Sequence, residues 1–167
     1  CHIDSSDPNP QIWNILREIL PKYDALIFHK EEFAKKDVHD FIYTMPPSIN
    51  PFAKKNEEMA KEKVREIMGE HIPLDLPVIT QVSRFDPWKD PLGVVDAYRL
   101  VRDEIDCRLV FIGSLADDDP EGKEYLEKLH NYIGNDPKIH VFSNLDGFHD
   151  KEVNAFQRGS DIILQKS

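Results

Sequence analysis

Pro77-Val78-Ile79-Thr80-Gln81-Val82-Ser83-Arg84-Phe85-Asp86-Pro87-Trp88-Lys89-Asp90-Pro91 is the stretch from which the fold follows. Val78, Ile79 and Val82 make 77–82 a short, mostly apolar run of strand length. A polar loop begins at Ser83. Asp90 then caps a helix with Pro91 at its first position, where a missing N–H would be unpaired anyway. Val94, Ala97, Tyr98, Val101 and Ile105 recur at steps of three and four, so they are expected as that helix's buried face.

Toward the C-terminus the same alternation repeats. Residues 108–113 read as a second strand. Asp119-Pro120 opens a second helix, expected to bury Leu126, Leu129 and Ile133. A third strand is expected over 138–142, a short helix over 151–158 and a last strand over 161–165. Strands alternating with helices predict βαβ units and a parallel α/β sheet. Right-handed crossovers bring every strand's C-terminal end to one edge, where ligands of open α/β sheets bind. Segments 83–90, 113–119, 143–147 and whatever follows Ser167 are expected there.

Toward the N-terminus, 9–20 reads as a helix with Ile12, Trp13, Leu16, Ile19 and Leu20 on one face. Short strands are expected over 24–28 and 41–45, the second stopped by Pro46-Pro47. A charged helix over 57–68 aligns Ala60, Val64, Ile67 and Met68, with Gly69 as its stop. The boundary between two lobes is expected between about Ser48 and Leu76, because residues 1–47 hold too few elements for a core of their own.

The chain has 167 residues, 40% of them apolar, with a formal net charge of −10. Its pI is near 5.1. That balance opposes a general nucleic-acid binder, which masses Lys and Arg on one face. No run approaches the roughly 18–20 apolar residues of a membrane span. Two cysteines, Cys1 and Cys107, make no disulfide framework. With no leader visible, a cytoplasmic location is expected. The first residue is not Met and the last six read as a strand, so a piece of a longer protein is expected.

Four places hold residues able to do chemistry. Arg84 and Lys89 follow a strand and precede a helix. Arg presents a planar fork of donors and Lys a compact charge, and both suit a diphosphate. Unit charges roughly 4 Å apart interact by about 4 kcal/mol at an effective dielectric near 20, so two cations could supply much of a micromolar affinity. A plain surface loop with an Arg84–Asp86 pair is the other reading, and position alone does not separate them. Gly113, ending the second strand, allows a ligand near the backbone or simply a turn. Asp117-Asp118-Asp119 suits a hard cation, but a helix cap at Asp119 explains it better. His2 with Asp4 is either an acid–base or metal pair, or an exposed terminal feature. The remaining histidines show no metal-ligand spacing.

Taken together, Cys1-His2-Ile3-Asp4, the segment 45–51 (Met-Pro-Pro-Ser-Ile-Asn-Pro), the string 81–89, Asp117-Asp118-Asp119-Pro120-Glu121-Gly122 and Glu152-Val153-Asn154-Ala155-Phe156-Gln157-Arg158 carry a resemblance. The chain resembles the retaining glycosyltransferases of the GT-B fold, in the trehalose synthase branch with its relative trehalose phosphorylase. The resemblance implies parts of two Rossmann-like domains with parallel sheets. Residues 1–48 would end an N-terminal, acceptor-side domain, 49–75 would connect, and 76–167 would begin the C-terminal, donor-nucleotide domain.

It also implies a reaction: glucose moves from a nucleoside diphosphate glucose to glucose, with retention, forming trehalose. Phosphate or another sugar as acceptor is the alternative within the class, and a non-catalytic nucleotide-binding module the alternative outside it. Arg84 and Lys89 match the family's diphosphate-binding pair. Gly113, Asn144, Leu145, Gly147 and Ser167 match the wall of the nucleoside and donor site, and His2 matches a catalytic histidine at the cleft. No cofactor is implied beyond the nucleotide-sugar donor. Mg²⁺ is allowed but not required, since two cations already face the phosphates. The implied partners are nucleotide-sugar and sugar substrates, with no nucleic acid and no membrane, and a homodimer is compatible. The chain departs from the family in having Asp90 where Gly is usual after the lysine. It also stops at Ser167, before the glutamate-rich segment that holds the donor sugar, so the fragment alone is expected to be inactive.

Overall fold

The computed structural model describes residues 7–35, 37–116 and 120–166, which fall into two compact units meeting at Asn50 and Pro51. The smaller unit holds helix α1 (Pro10–Ile19) and two parallel strands, β1 (Leu26–Phe28) and β2 (Ile42–Thr44). Asn9 caps α1 through its side-chain oxygen, which accepts from the N–H groups of Gln11 and Ile12, and Pro10 takes the first helical position. The core is Trp13, Leu26, Phe28 and Val38, with Leu16, Leu20 and Ile42 packed against it. The expected apolar face of α1 is therefore narrower than its sequence pattern. Trp13, Leu16 and Leu20 form the seam, while Ile12 and Ile19 lie exposed. A two-stranded sheet covers one row of helix side chains, and the flanking row finds no partner among the unit's described residues.

The larger unit is a three-layer α/β/α sandwich. It contains helix α2 (Lys61–Gly69), strand β3 (Val78–Val82), helix α3 (Pro91–Arg102), strand β4 (Arg108–Gly113), helix α4 (Pro120–Ile133), strand β5 (Ile139–Ser143), helix α5 (Asp150–Gly159) and strand β6 (Ile162–Leu164). The sheet order is β5-β4-β3-β6 and all its pairings are parallel. Burial on both faces follows the alternation of a strand's side chains. Leu109 and Phe111 enter the core shared with α3 and α4, whereas Val110 and Ile112 enter the core shared with α2 and α5.

The stretch 49–75 carries α2, whose Val64, Ile67 and Met68 pack against Ala155 and Phe156 of α5 within this unit. The two helices approach closely because Gly159 has no side chain: a Cβ there would sit 2.2 Å from the Met68 sulfur. Helix α2 runs through Gly69 and is capped one residue later by Glu70, so Gly69 is its last turn rather than its stop. The buried row of α3 is Pro91, Val94, Val95 and Tyr98. Ala97, Val101 and Ile105, expected inside, are exposed. Two apolar rows compete on this helix, and the one led by Val94 and Val95 wins because it stacks on Leu109 and Phe111.

After β5 the chain crosses back and lays β6 on the far side of β3. Strand β3 is thus where connections leave in opposite directions. In open α/β sheets the crevice at such a switch point is the ligand site.

Candidate functional site

The loop leaving β3 is built to hold one side chain in and the next one out. Ser83 N–H still pairs with the Ile112 carbonyl at 3.0 Å, extending the sheet by one bond. Phe85 is 2% exposed and joins the core under α3. Asp86 turns the chain: its Oδ1 accepts from Lys89 N–H at 3.0 Å. Arg84, between these anchors, projects outward with its side chain 71% exposed, and its Nη2 lies 3.2 Å from Asp86 Oδ2. The ion pair of the surface-loop reading and the outward cation of the ligand reading are therefore both present.

Lys89 is fixed through its backbone. Its carbonyl accepts from Gln81 Nε2 at 2.9 Å, and Gln81 is a fully buried residue of β3. No carboxylate among the described residues pairs with the Lys89 ammonium. Asp90 takes left-handed backbone angles, φ 43°, as the cap of α3. Its carboxylate accepts from Gly93 N–H at 3.1 Å and also pairs with Lys166, just past β6. Those contacts, Lys166 first, hold the Asp90 carboxyl below the ordinary carboxylate value of 3.8. One residue thus ties together the two loops that flank the switch point.

A cavity of about 610 Å³ opens at the carboxyl ends of β3, β4 and β5. Arg84, Gly113 and Asn144 meet there, with Ser83, Ser114 and the first turn of α5. Lys89, Leu145 and Gly147 are not among its lining residues. Gly113 needs its missing side chain for packing: a Cβ would lie 2.4 Å from the Phe85 ring. Asn144 holds two loops together, accepting from Leu115 N–H at 2.8 Å and donating to the Leu115 carbonyl at 3.1 Å. Leu145 is largely exposed. Gly147, with φ 81°, closes the turn Asn144–Asp146, a conformation that favours glycine.

Several cavity residues carry no signal in the sequence. Lys54 and Lys55 reach the wall from a 3-10 turn (Lys54–Asn56) roughly a hundred positions from α5, and His149 and Asp150 come from the start of α5. Phe85, which lies in the core behind the loop and not on the wall, is hidden for another reason, being an aromatic inside a polar string. His2, Asp4, the segment Asp117-Asp118-Asp119 and Ser167 lie outside the described residues. Among the described residues no three His, Cys, Asp or Glu side chains are grouped to hold a metal ion, and no helix is long and apolar enough to cross a membrane.

Known proteins share both the sequence and the fold. Residues 1–35 match the family described as trehalose synthase, N-terminal domain, and residues 53–167 match glycosyl transferases group 1. The trehalose synthase of Thermococcus litoralis is 47% identical over 170 residues, and that of Rubrobacter xylanophilus 43%. Each alignment covers all of this chain and 41% of the relative, so the chain spans about two fifths of the length of these proteins. Among solved structures, a glycosyltransferase from Rickettsia africae superposes with TM-score 0.61 at 19% identity, covering 93% of this chain and 41% of that one. Anabaena HepE, solved in complex with UDP and glucose, superposes with TM-score 0.64 at 15% identity, covering 96% of this chain and 43% of that one. These two share the fold, the GT-B class of parallel α/β sheets. Because the group 1 match runs through the whole of the larger unit, from the turn at Lys54 to the strand β6, the chain belongs to the group 1 glycosyl transferases.

Proposed function

We propose that this chain carries the diphosphate half of the donor site in a retaining glycosyltransferase that moves glucose from a nucleoside diphosphate glucose to glucose, forming trehalose. The observation that carries the reading is Arg84. It stands outward on the loop leaving the switch-point strand, beside a cavity that Gly113 and Asn144 also line. Lys89 follows on the same loop with its ammonium unpaired among the described residues. The identity to trehalose synthases supports the choice of sugar and acceptor, and the UDP and glucose held by HepE support a nucleotide donor.

In this reaction the bond between the anomeric carbon and the diphosphate oxygen breaks. The acceptor hydroxyl bonds to that carbon on the same face, and its proton passes to the departing phosphate. Negative charge grows on the diphosphate as it leaves. Arg84 and Lys89, fixed in place beforehand by Phe85, Asp86 and Gln81, lower the energy of that state. Two cations do here what a metal does elsewhere, so none is required. His2 would approach the transferred sugar from the acceptor-side domain, residues 1–48, with 49–75 as the connection and 76–167 as the donor-side domain. Leu145, Gly147 and Ser167 would complete the nucleoside wall. The enzyme would work in the cytoplasm.

The test is Arg84→Ala in the full-length protein, assayed with a panel of nucleoside diphosphate glucoses and product analysis. Loss of one preorganised charge partner lowers kcat by about 10²–10³. A fall of that size with an unchanged melting curve is expected, and trehalose is the expected product. Unchanged turnover would sink the clamp. A sugar phosphate as product would replace the acceptor by phosphate.

A further inference from the structure

The cavity at the sheet's carboxyl edge has a cationic wall that the switch-point loop does not supply. Lys54 and Lys55 line it together with Arg84, and Asp150 is the one carboxylate among its lining residues. A chain whose formal charge is −10 thus presents a local excess of positive charge. Neither lysine has an ion-pair partner among the described residues, although 31 acidic side chains are available in the chain. Such an excess concentrates anions from solution.

The turn that bears these lysines is locked from below. Asn154 of α5 is 2% exposed, and its amide donates to the Lys54 carbonyl at 3.0 Å and to the Glu57 carbonyl at 2.8 Å. Arg158, one helical turn on, donates to the Asn154 side-chain oxygen at 2.7 Å and to the Asn56 carbonyl at 3.3 Å. Three carbonyls of one turn are therefore held by two side chains of one helix. A buried amide whose hydrogen bonds are all used up specifies a position, because leaving any of them unmade is costly. Helix α5 is itself anchored, with Ala155 and Phe156 buried in the core with α2.

We infer that the 54–57 turn is a preset cationic arm of the nucleotide cavity, in which Lys54 and Lys55 meet the phosphates of a nucleoside diphosphate and Asn154 and Arg158 act as positioning residues. The inference rests on the donor reading above and assigns the site two further binding residues. It also gives the string from Asn154 to Arg158 a physical role, since both end residues touch the turn's backbone and set where its charges stand.

The test uses the full-length protein and titration calorimetry with UDP, ADP and GDP, each against its nucleoside, over a series of salt concentrations. Lys54→Ala/Lys55→Ala is expected to weaken the best diphosphate about tenfold at low salt and to flatten its salt dependence, because screened charge is what was removed. Nucleoside affinity should stay unchanged. Arg158→Ala should reproduce part of the loss and of the flattening, and Arg158→Lys should recover part of it. The lysine substitutions leave the Asn154 contacts intact, so they decide the matter even if Arg158→Ala fails to fold. Diphosphate binding like wild type in the double variant at low salt overturns the arm, as does an equal loss for the nucleoside. A folded Arg158→Ala protein that binds as wild type overturns the positioning role. The donor reading fails separately: there, wild type binds none of the three diphosphates, or Arg84→Ala binds as tightly as wild type.

Discussion

Gly113 shows how one residue's reading changes between sequence and structure. At a strand's end it suggests room for a ligand. The space a side chain would take is instead filled by the Phe85 ring, with three ring carbons within 2.7 Å of an added Cβ. Phe85 is buried and cannot swing away, so the glycine is what lets the loop carrying Arg84 lie flat on β4. Gly113→Ala is expected to destabilise the protein by about 1–3 kcal/mol, the usual range for forcing an extra methyl into a packed core. Phe85→Leu removes the clashing edge, so the double variant should lose less than the sum of the singles. Urea unfolding of the four proteins measures the coupling, and strict additivity would refute the contact. Arg84 is legible in the sequence as a cation near a strand end. Its outward direction is not, because that depends on Phe85 being pulled under.

Among the elements, β4 can be read in the sequence with the bounds it has in the structure. A strand buried on both faces is a continuous apolar run, and 109–113 is one, led in by Arg108. Helix α3 is legible in its start and cap, but not in its end or its face: it stops at Arg102, short of Ile105, and because Val95 and Val101 are equally apolar only the sheet beneath chooses between them. The clasp between α5 and the 54–57 turn is not legible at all, since partners a hundred residues apart leave no periodic trace. The cap of α3 carries its own prediction. Asp90 accepts from Gly93 N–H, pairs with Lys166 and sits at φ 43°. Its folded pKa is depressed, so its contribution is present above the ordinary 3.8 and is lost as pH falls through the lower folded value. Asp90→Ala should cost about 0.5–2 kcal/mol at neutral pH, and Asp90→Gly only a few tenths, since glycine also accepts the left-handed angles. The Ala deficit should shrink on acidification below 3.8. Chemical unfolding of both variants across that range checks this. A deficit that ignores pH, or a Gly variant as weak as the Ala variant, would rule it out.

At the scale of the whole molecule the two units differ in self-sufficiency. In the larger one, both faces of the four-stranded sheet are covered by its own helices, and two separate cores of ten or more buried residues result. Among its described residues the smaller one buries four hydrophobic residues in its core and leaves a row of isoleucines on α1 exposed. Core size governs whether a unit folds alone, and a unit of about 50 residues with a small core falls near the limit. Residues 51–167 are therefore expected to fold by themselves, whereas residues 1–50 are not. The larger unit alone also contains the cavity with Lys54, Lys55, Arg84 and Asn144, so its folding would carry the proposed diphosphate half of the donor site with it. Far-UV circular dichroism and thermal melting of each segment decide the question. A cooperative transition is expected for 51–167, and a spectrum of largely unfolded chain for 1–50. If 51–167 melts without cooperativity, its two cores do not suffice, and the unit depends on contacts from chain outside it. If 1–50 melts cooperatively as a monomer, four buried side chains and a two-stranded sheet are a sufficient core after all.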